Sequence, residues 1–269
     1  MNASLTSREV RRAGAGPGGG AAPDEVAVEE PLEIRVEGRP VAVTMRTPGH
    51  DAELAAGFLL TEGVIARGAD IFEISECGVS GANAIEVTLR QPGAVDFARL
   101  TRHVFGSSSC GVCGKATIES VHAHHPPVPA GEGLRDLPAA ILGLLPARLA
   151  EGQAVFQRTG GLHAAALFDA TGRILVLRED VGRHNAVDKV LGHALLAPDA
   201  ATGGCGLLVS GRVSFEIAQK ALAARIAVVA GLSAPTSLAV DFARASGQAL
   251  IGFLRAGGHN VYAGNDRLR

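Results

Sequence analysis

Apolar and polar residues alternate along Leu32-Glu33-Ile34-Arg35-Val36 and again along Val41-Ala42-Val43-Thr44-Met45, with turn chemistry at Glu37-Gly38-Arg39-Pro40 between them. A period of two predicts a half-buried hairpin. After Asp51 the period changes: Leu54, Ala55, Phe58 and Leu59 share one helical face, and Gly63 ends the helix. Alternation returns at Phe72-Glu73-Ile74 and at Ile85-Glu86-Val87-Thr88-Leu89. The first half, residues 28–133, reads as a small α+β domain around an antiparallel sheet.

The second half, residues 134–269, has another rhythm. His163 to Phe168 and Ile174 to Leu177 form a predicted hairpin around Asp169-Ala170-Thr171-Gly172. Then come a helix from Asn185 to Leu195, a strand from Gly206 to Ser210, and a helix from Phe215 to Ala223. A strand from Ile226 to Ala230, a helix from Thr236 to Ala245 and a strand from Ala249 to Phe253 complete the series. Strands alternating with helices predict a mostly parallel sheet covered on both faces, hence an α/β domain. Between the halves, Pro126, Pro127, Pro129 and Gly133 read as a linker, with Asp136 as a helix cap and Pro146 as a break or a new start. Residues 1–27 are rich in Gly, Ala and Pro, lack periodicity, and read as a disordered tail.

Composition narrows the function. Of 269 residues, 47% are hydrophobic and 19% charged, a globular balance. Lys and Arg total 25 against 27 Asp and Glu, which argues against a general nucleic-acid binder. Nine Phe, one Tyr and no Trp leave few stacking platforms for single strands. No apolar run approaches the ~20 residues that cross a bilayer, and the Arg-then-Gly opening is no secretory signal. A cytoplasmic protein that binds neither membrane nor nucleic acid is expected. Its four cysteines then form no disulfide framework, and Cys77 and Cys205 read as small hydrophobes.

The sharpest local signal is Ser107-Ser108-Ser109-Cys110-Gly111-Val112-Cys113-Gly114-Lys115. Gly and Ser keep the thiols accessible, and Lys115 favours a thiolate, the nucleophilic form. Four readings stand: unreactive loop thiols, a zinc site with two of His122, His124 and His125, a redox pair, or a cysteine that holds a persulfide. Zinc wants a second ligand pair with better spacing, so no metal is expected. A thioredoxin-type pair wants a preceding βαβ unit, which this region lacks.

The second signal is a set of polar, Gly-flanked segments at the predicted carboxyl edge of the second sheet, where α/β folds bind ligands. These are Asp180-Val181-Gly182-Arg183-His184, Ser210-Gly211-Arg212, and the stretch Phe253, Leu254, Arg255, Ala256, Gly257, Gly258. Backbone N–H groups at helix starts, joined by arginines, suit a nucleotide-like anion. The cluster from Asp180 to Lys189 also fits an ordinary capped helix start. His163, after Gly160-Gly161, is expected near the same edge. No G-x-G-x-x-G opens a βαβ unit, and no G-x-x-x-x-G-K-[ST] P-loop occurs.

The chain resembles a known family. Met45-Arg46-Thr47-Pro48-Gly49, Glu53-Leu54-Ala55-Ala56-Gly57-Phe58-Leu59, the Cys110 to Gly114 motif, Thr159-Gly160-Gly161-Leu162-His163, Glu179 to Lys189 and Ser210-Gly211-Arg212 are similar, in order, to motifs of the formate dehydrogenase accessory sulfurtransferases, the FdhD family. The resemblance implies a sulfurtransferase. It would carry persulfide sulfur from a cysteine desulfurase to the bis-molybdopterin guanine dinucleotide form of the molybdenum cofactor, before that cofactor enters formate dehydrogenase. It implies a homodimer and a cytidine-deaminase-like second domain. It places the persulfide on Cys110 with Cys113 assisting, and a cofactor-binding stretch at Phe253 to Gly258; the guanine of that cofactor makes Asp180 a candidate acceptor for its N–H groups. His163-Ala164-Ala165 lacks the H-x-E of zinc deaminases, so a deaminase-like pocket here would be reused for binding.

Overall fold

The computed structural model describes residues 4–11, 21–77, 83–92, 97, 118–119, 121–197 and 202–269. Two larger sheets and one hairpin organise them. The hairpin joins β1 (Leu5–Arg11) to β2 (Ala21–Ala27), antiparallel. The disordered tail expected for residues 1–27 therefore does not hold at these strands. They lack an apolar core of their own and dock instead: the Arg158 guanidinium pairs with Glu25, and Ser4 Oγ donates to the Pro48 carbonyl at 3.3 Å.

The four-stranded sheet has the order β4-β3-β6-β5, built from β3 (Glu30–Val36), β4 (Arg39–Arg46), β5 (Ile71–Glu76) and β6 (Ala84–Leu89). The predicted hairpin is β3–β4. The sheet is mixed rather than antiparallel, because β6 pairs in parallel with β3. Helix α1 (Asp51–Thr61) makes this parallel pairing possible by crossing from the β4 end to the β5 side.

The second sheet has six strands in the order β12-β11-β10-β9-β7-β8. They are β7 (His163–Phe168), β8 (Ile174–Asp180), β9 (Gly206–Val209), β10 (Val228–Gly231), β11 (Ala249–Arg255) and β12 (Gly258–Ala263). Strands β9, β10 and β11 are parallel, as expected, while β7, β8 and β12 run antiparallel to their neighbours. One face carries α2 (Ala139–Leu142) and α3 (Leu145–Gly152), whose Leu142, Leu145 and Leu149 bury against Phe168, Leu208 and Ile251. Pro146 opens α3, and the short α4 (Ala154–Thr159) follows it. The other face carries α5 (Arg183–Leu196), α6 (Phe215–Ala223) and α7 (Ser237–Ala245). The expected linker is not a free tether: Val128 is buried between α6 and α7, and Leu137 bridges to Leu268. Asp136, the expected helix cap, has φ +51°, and Pro138 takes the cap position.

Helices α1 and α5 join the halves. They cross with backbones in contact: a Cβ on Gly57 would lie 1.9 Å from the Asp188 carbonyl oxygen, and one on Gly192 1.8 Å from that of Glu53. Apolar residues of both sheets and both helices, including Ile34, Leu54, Val187 and Leu207, then form one continuous core. Buried ion pairs flank the crossing. Lys189 lies 2.7 Å from Asp180 and donates to the Thr47 carbonyl, while Lys220 reaches Asp188 at 2.8 Å and Thr61 Oγ1 at 2.9 Å.

Glu53 on α1 makes a third tie. Arg178 of β8 donates to it at 2.6 and 2.8 Å, and His193 of α5 lies at 2.9 Å. Partial burial alone would raise its carboxyl, but hydrogen bonds from Arg178, His50 and His193 outweigh that and hold it well below the ordinary 4.5. A depressed carboxylate stabilises the fold fully above its unfolded value and loses that contribution as pH falls toward the folded value. Glu53→Gln should therefore flatten the fall of melting temperature below about pH 4.5, the unfolded value. A fall as steep as that of the parent would show that other carboxylates carry the acid limb.

Candidate functional site

Strand polarity gathers the expected residues on one edge. Strands β8 and β9 end there at Asp180 and Val209, and β7 begins there at His163, because it is antiparallel to both. Ser210 locks this corner: its N–H donates to the Ala164 carbonyl at 2.9 Å, and its Oγ accepts from the Ala164 N–H at 2.9 Å. Gly211 follows. A Cβ there would lie 3.4 Å from His163 Nδ1 and 3.8 Å from Arg183 Cδ, so a bare backbone lets both side chains close in. Burial, and then the charges of Arg183 and His184, push the His163 imidazole below its ordinary 6.5.

Helix α5 starts at this edge with Gly182 as its cap and no side chain on its first N–H groups. Helix α6 starts nearby after Ser214, also without a side-chain cap bond. His184 links the two starts: its Nε2 is 3.5 Å from Ser214 Oγ and 3.6 Å from Glu216 Oε2. Hydrogen bonding from His184 lowers the Glu216 carboxyl to about 2, with help from Ser214 and against partial burial, so Glu216 is an anion at any physiological pH. These groups border a cleft of about 470 Å³ between the four-stranded sheet with α1 and the helices α5 and α6. Ile34, Ala42, Leu54 and Phe58 make it apolar, while Arg183, His184, Glu216 and Gln219 make one wall polar. The Arg183 Nε is shielded from solvent and has no hydrogen-bond partner among the described residues.

Some expected residues are elsewhere in role. Asp180 is fully buried, and both its oxygens are engaged. Thr47 N–H donates to Oδ2 and Lys189 pairs with it, while Gly182 N–H and Asn185 Nδ2 donate to Oδ1. It holds the turn into α5 and is not free to read a guanine. Leu254 is fully buried in the core and offers no side chain to a ligand. The stretch from Phe253 to Gly258 does leave this edge of the sheet, two strands away from Ser210. Its turn leans toward the α2–α3 face, where a Cβ on Gly143 would meet the Ala256 carbonyl at 3.1 Å. Phe253 is exposed with φ +50°, and Arg255 donates to the Leu232 carbonyl. Arg212 is exposed on the same edge. Cys110 and Cys113 lie outside the described residues. Glu216 and Gln219 were not singled out from the sequence; a carboxylate in the first turn of a helix looks like ordinary dipole compensation.

A model of the FdhD/NarQ family matches residues 27–269. The chain belongs to that family. It is 51% identical to "Sulfur carrier protein FdhD" of Streptomyces coelicolor, over 91% of this chain and 89% of that protein. It is 50% identical to the protein of the same name from Mycobacterium tuberculosis, over 91% and 92% of the two chains. Its fold matches a crystal structure from Desulfotalea psychrophila assigned as a formate dehydrogenase accessory protein, with a TM-score of 0.75, 26% identity and 98% of both chains covered. The family expected from the sequence motifs is therefore the family found. No helix among the described residues is long and apolar enough to cross a membrane.

Proposed function

We propose that this chain is a sulfur carrier for formate dehydrogenase: a sulfurtransferase that receives persulfide sulfur from a cysteine desulfurase and passes it to the bis-molybdopterin guanine dinucleotide molybdenum cofactor. The observation that carries the reading is the 51% identity to a named sulfur carrier along 91% of the chain, which includes the C-x-x-C. In loading, the Cys110 thiolate attacks the outer sulfur of the donor's persulfide. A new S–S bond forms on Cys110, and the donor cysteine leaves as a thiolate. In delivery, the Cys113 thiolate attacks Cys110 Sγ and releases the outer sulfur as sulfide. The resulting disulfide is reopened by a dithiol reductant.

Chain length supports a short path between the cysteines and the edge. Cys113 stands five positions before Ile118 in the chain, a reach of at most ~18 Å. Ile118 packs in the cluster that holds Phe215, the neighbour of Glu216. The cargo enters this scheme as substrate, with its phosphates met by the α5 start, Ser210-Gly211-Arg212 and Arg183. A second domain derived from a deaminase-like binding fold, a cytoplasmic setting and a homodimer belong to the same proposal.

The test is intact-mass analysis after incubation with a cysteine desulfurase and cysteine. One or more added sulfur atoms, mapped to the Cys110–Cys113 peptide and removed by reductant, is the expected result. An unmodified peptide with an active desulfurase would overturn the reading. The phosphate contacts have a separate readout. Arg183→Ala should weaken guanosine diphosphate at least about tenfold in calorimetry, the scale of one charge-assisted hydrogen bond. Unchanged affinity would remove Arg183 from the site.

A further inference from the structure

A groove of about 570 Å³ opens between the loop that follows α1 and the carboxyl end of α6, whose amino end lies at the Ser210–Gly211 edge. Its floor is apolar: Leu60, Ile65, Leu89 and Leu222. A smaller hollow of about 250 Å³ shares Ala66 and Arg67 with it and continues to Leu191 and Leu195, near the carboxyl end of α5. Three arginines, Arg67, Arg90 and Arg225, border the groove against one carboxylate, Asp70, in a chain whose net charge is −2. Arg225 is committed: it pairs with Glu132 at 2.8 Å and donates to the Pro126 carbonyl. Arg67 meets Asp70 at 3.1 Å, but its side chain is 78% exposed, and an exposed pair holds its members weakly. Arg90 forms no ion pair among the described residues; its guanidinium lies over the Phe72 ring, 5.6 Å from the centroid. Phe72 is itself 62% exposed. An exposed arginine stacked on an exposed ring beside an apolar groove has the composition of an interface centre rather than of ordinary surface.

The occupant that fits is a protein segment with apolar side chains for the floor and carboxylates for the rim, an acidic amphipathic helix or loop. The place of the groove in the chain says which protein brings it. Its walls include Leu89–Gln91 and His124–Pro126. The first precedes the C-x-x-C stretch and the second follows it: Cys110 comes nineteen positions after Gln91, and Cys113 eleven before His124. A protein seated here lies beside the chain that leads to the thiols and the chain that returns from them. It also leaves the Ser210–Gly211 edge, at the other ends of α5 and α6, open to the cargo.

We propose that this groove is where the sulfur donor docks, through an acidic amphipathic segment whose carboxylates meet Arg90 and Arg67 and whose apolar side chains cover the floor. The inference rests on the reading that the chain is a sulfur carrier, and adds the surface that the donor uses. Arg90 and Arg67 steer the encounter, because charges on an interface rim act mainly on association and on its dependence on salt. The apolar floor and Phe72 hold the complex once it has formed.

The experiment titrates a cysteine desulfurase with the full chain and follows sulfur loading by mass over a range of donor concentrations. Arg90→Glu reverses an exposed charge, and Ala66→Trp fills the groove from an exposed position. Each should weaken binding at least about tenfold and raise the half-saturating donor concentration by the same factor, with the plateau rate of loading unchanged. Added salt should weaken the parent more than Arg90→Glu. Loading by cysteine persulfide, a small donor that needs no docking, should be unchanged in both variants. Arg173→Glu, an equal charge change on an exposed turn, should match the parent. Parent-like binding by either groove variant overturns the proposal. So does an equal loss of loading with cysteine persulfide, or an effect of Arg173→Glu as large as that of Arg90→Glu. A parent chain that binds the desulfurase through these residues but takes sulfur from neither donor removes the carrier reading and leaves the groove. Loading that ignores both groove variants removes the groove and leaves the carrier reading.

Discussion

Cys110→Ser should abolish sulfur loading while leaving melting temperature within a degree or two of the parent, because a Ser differs by one atom in a Gly/Ser-rich segment. Cys113→Ser should behave differently. It keeps the loading thiol, so the added sulfur should accumulate, and release should fall by at least about a hundredfold if the second thiolate expels the sulfide. Mass analysis of both proteins, before and after a chase with a sulfur acceptor, reads the two steps separately. Equal loading of Cys110→Ser and the parent would move the persulfide to another cysteine. Rapid release from Cys113→Ser would show that the acceptor attacks the persulfide directly.

Gly57→Ala and Gly192→Ala should each cost several kcal/mol, among the largest effects of any single methyl group in this chain. The added Cβ meets a backbone carbonyl oxygen at under 2 Å in both cases, and a helix backbone cannot turn aside as a side chain can. The helices must separate, which opens the shared core around Leu54 and Val187 and loosens the buried bonds that span the crossing, from Lys189 to the Thr47 carbonyl and from Lys220 to Thr61. A drop in melting temperature on the order of 10 °C is expected for a protein of this size. Gly257→Ala is the control: no atom lies within 4 Å of its added Cβ, and its stability should stay near the parent value. Near-parent stability of Gly57→Ala would mean that the helices do not cross at this distance.

Local periodicity carried most of the second half. Helix α6 runs from Phe215 to Ala223 as its pattern predicts, and β7 and β8 pair around the predicted turn. These elements bury one regular face, so sequence spacing and packing agree. Non-local features were less legible. The parallel pairing of β6 with β3 depends on where α1 crosses, which no single segment encodes. Hairpin β1–β2 has little apolar content, and its docking depends on Arg158, more than a hundred residues away. Gly57 and Gly192 look in sequence like mild helix weaknesses, and only the crossing shows why a side chain is excluded.

The site divides the same way. The convergence of Arg183, His184, Ser210 and Gly211 was legible because strand ends in an α/β sheet define an edge. Asp180 was misread because a carboxylate at that edge has two plausible tasks. Its complete burial and four neighbours decide for the structural one. Leu254 was misread because a contiguous motif was taken whole, although alternate residues on a strand face opposite sides. Glu216 was not singled out because its place on the cleft wall comes from the fold rather than from its neighbours in the chain.

Sulfur delivery itself is the most direct test. The chain is loaded at Cys110 with radiolabelled sulfur, freed of donor, and mixed with cofactor and apo-formate dehydrogenase. The account predicts that label leaves the carrier, appears on the cofactor, and brings dehydrogenase activity with it, and that unloaded or Cys110→Ser carrier gives none of these. Full activation by Cys110→Ser, or label retained on the carrier while activity rises, would contradict it.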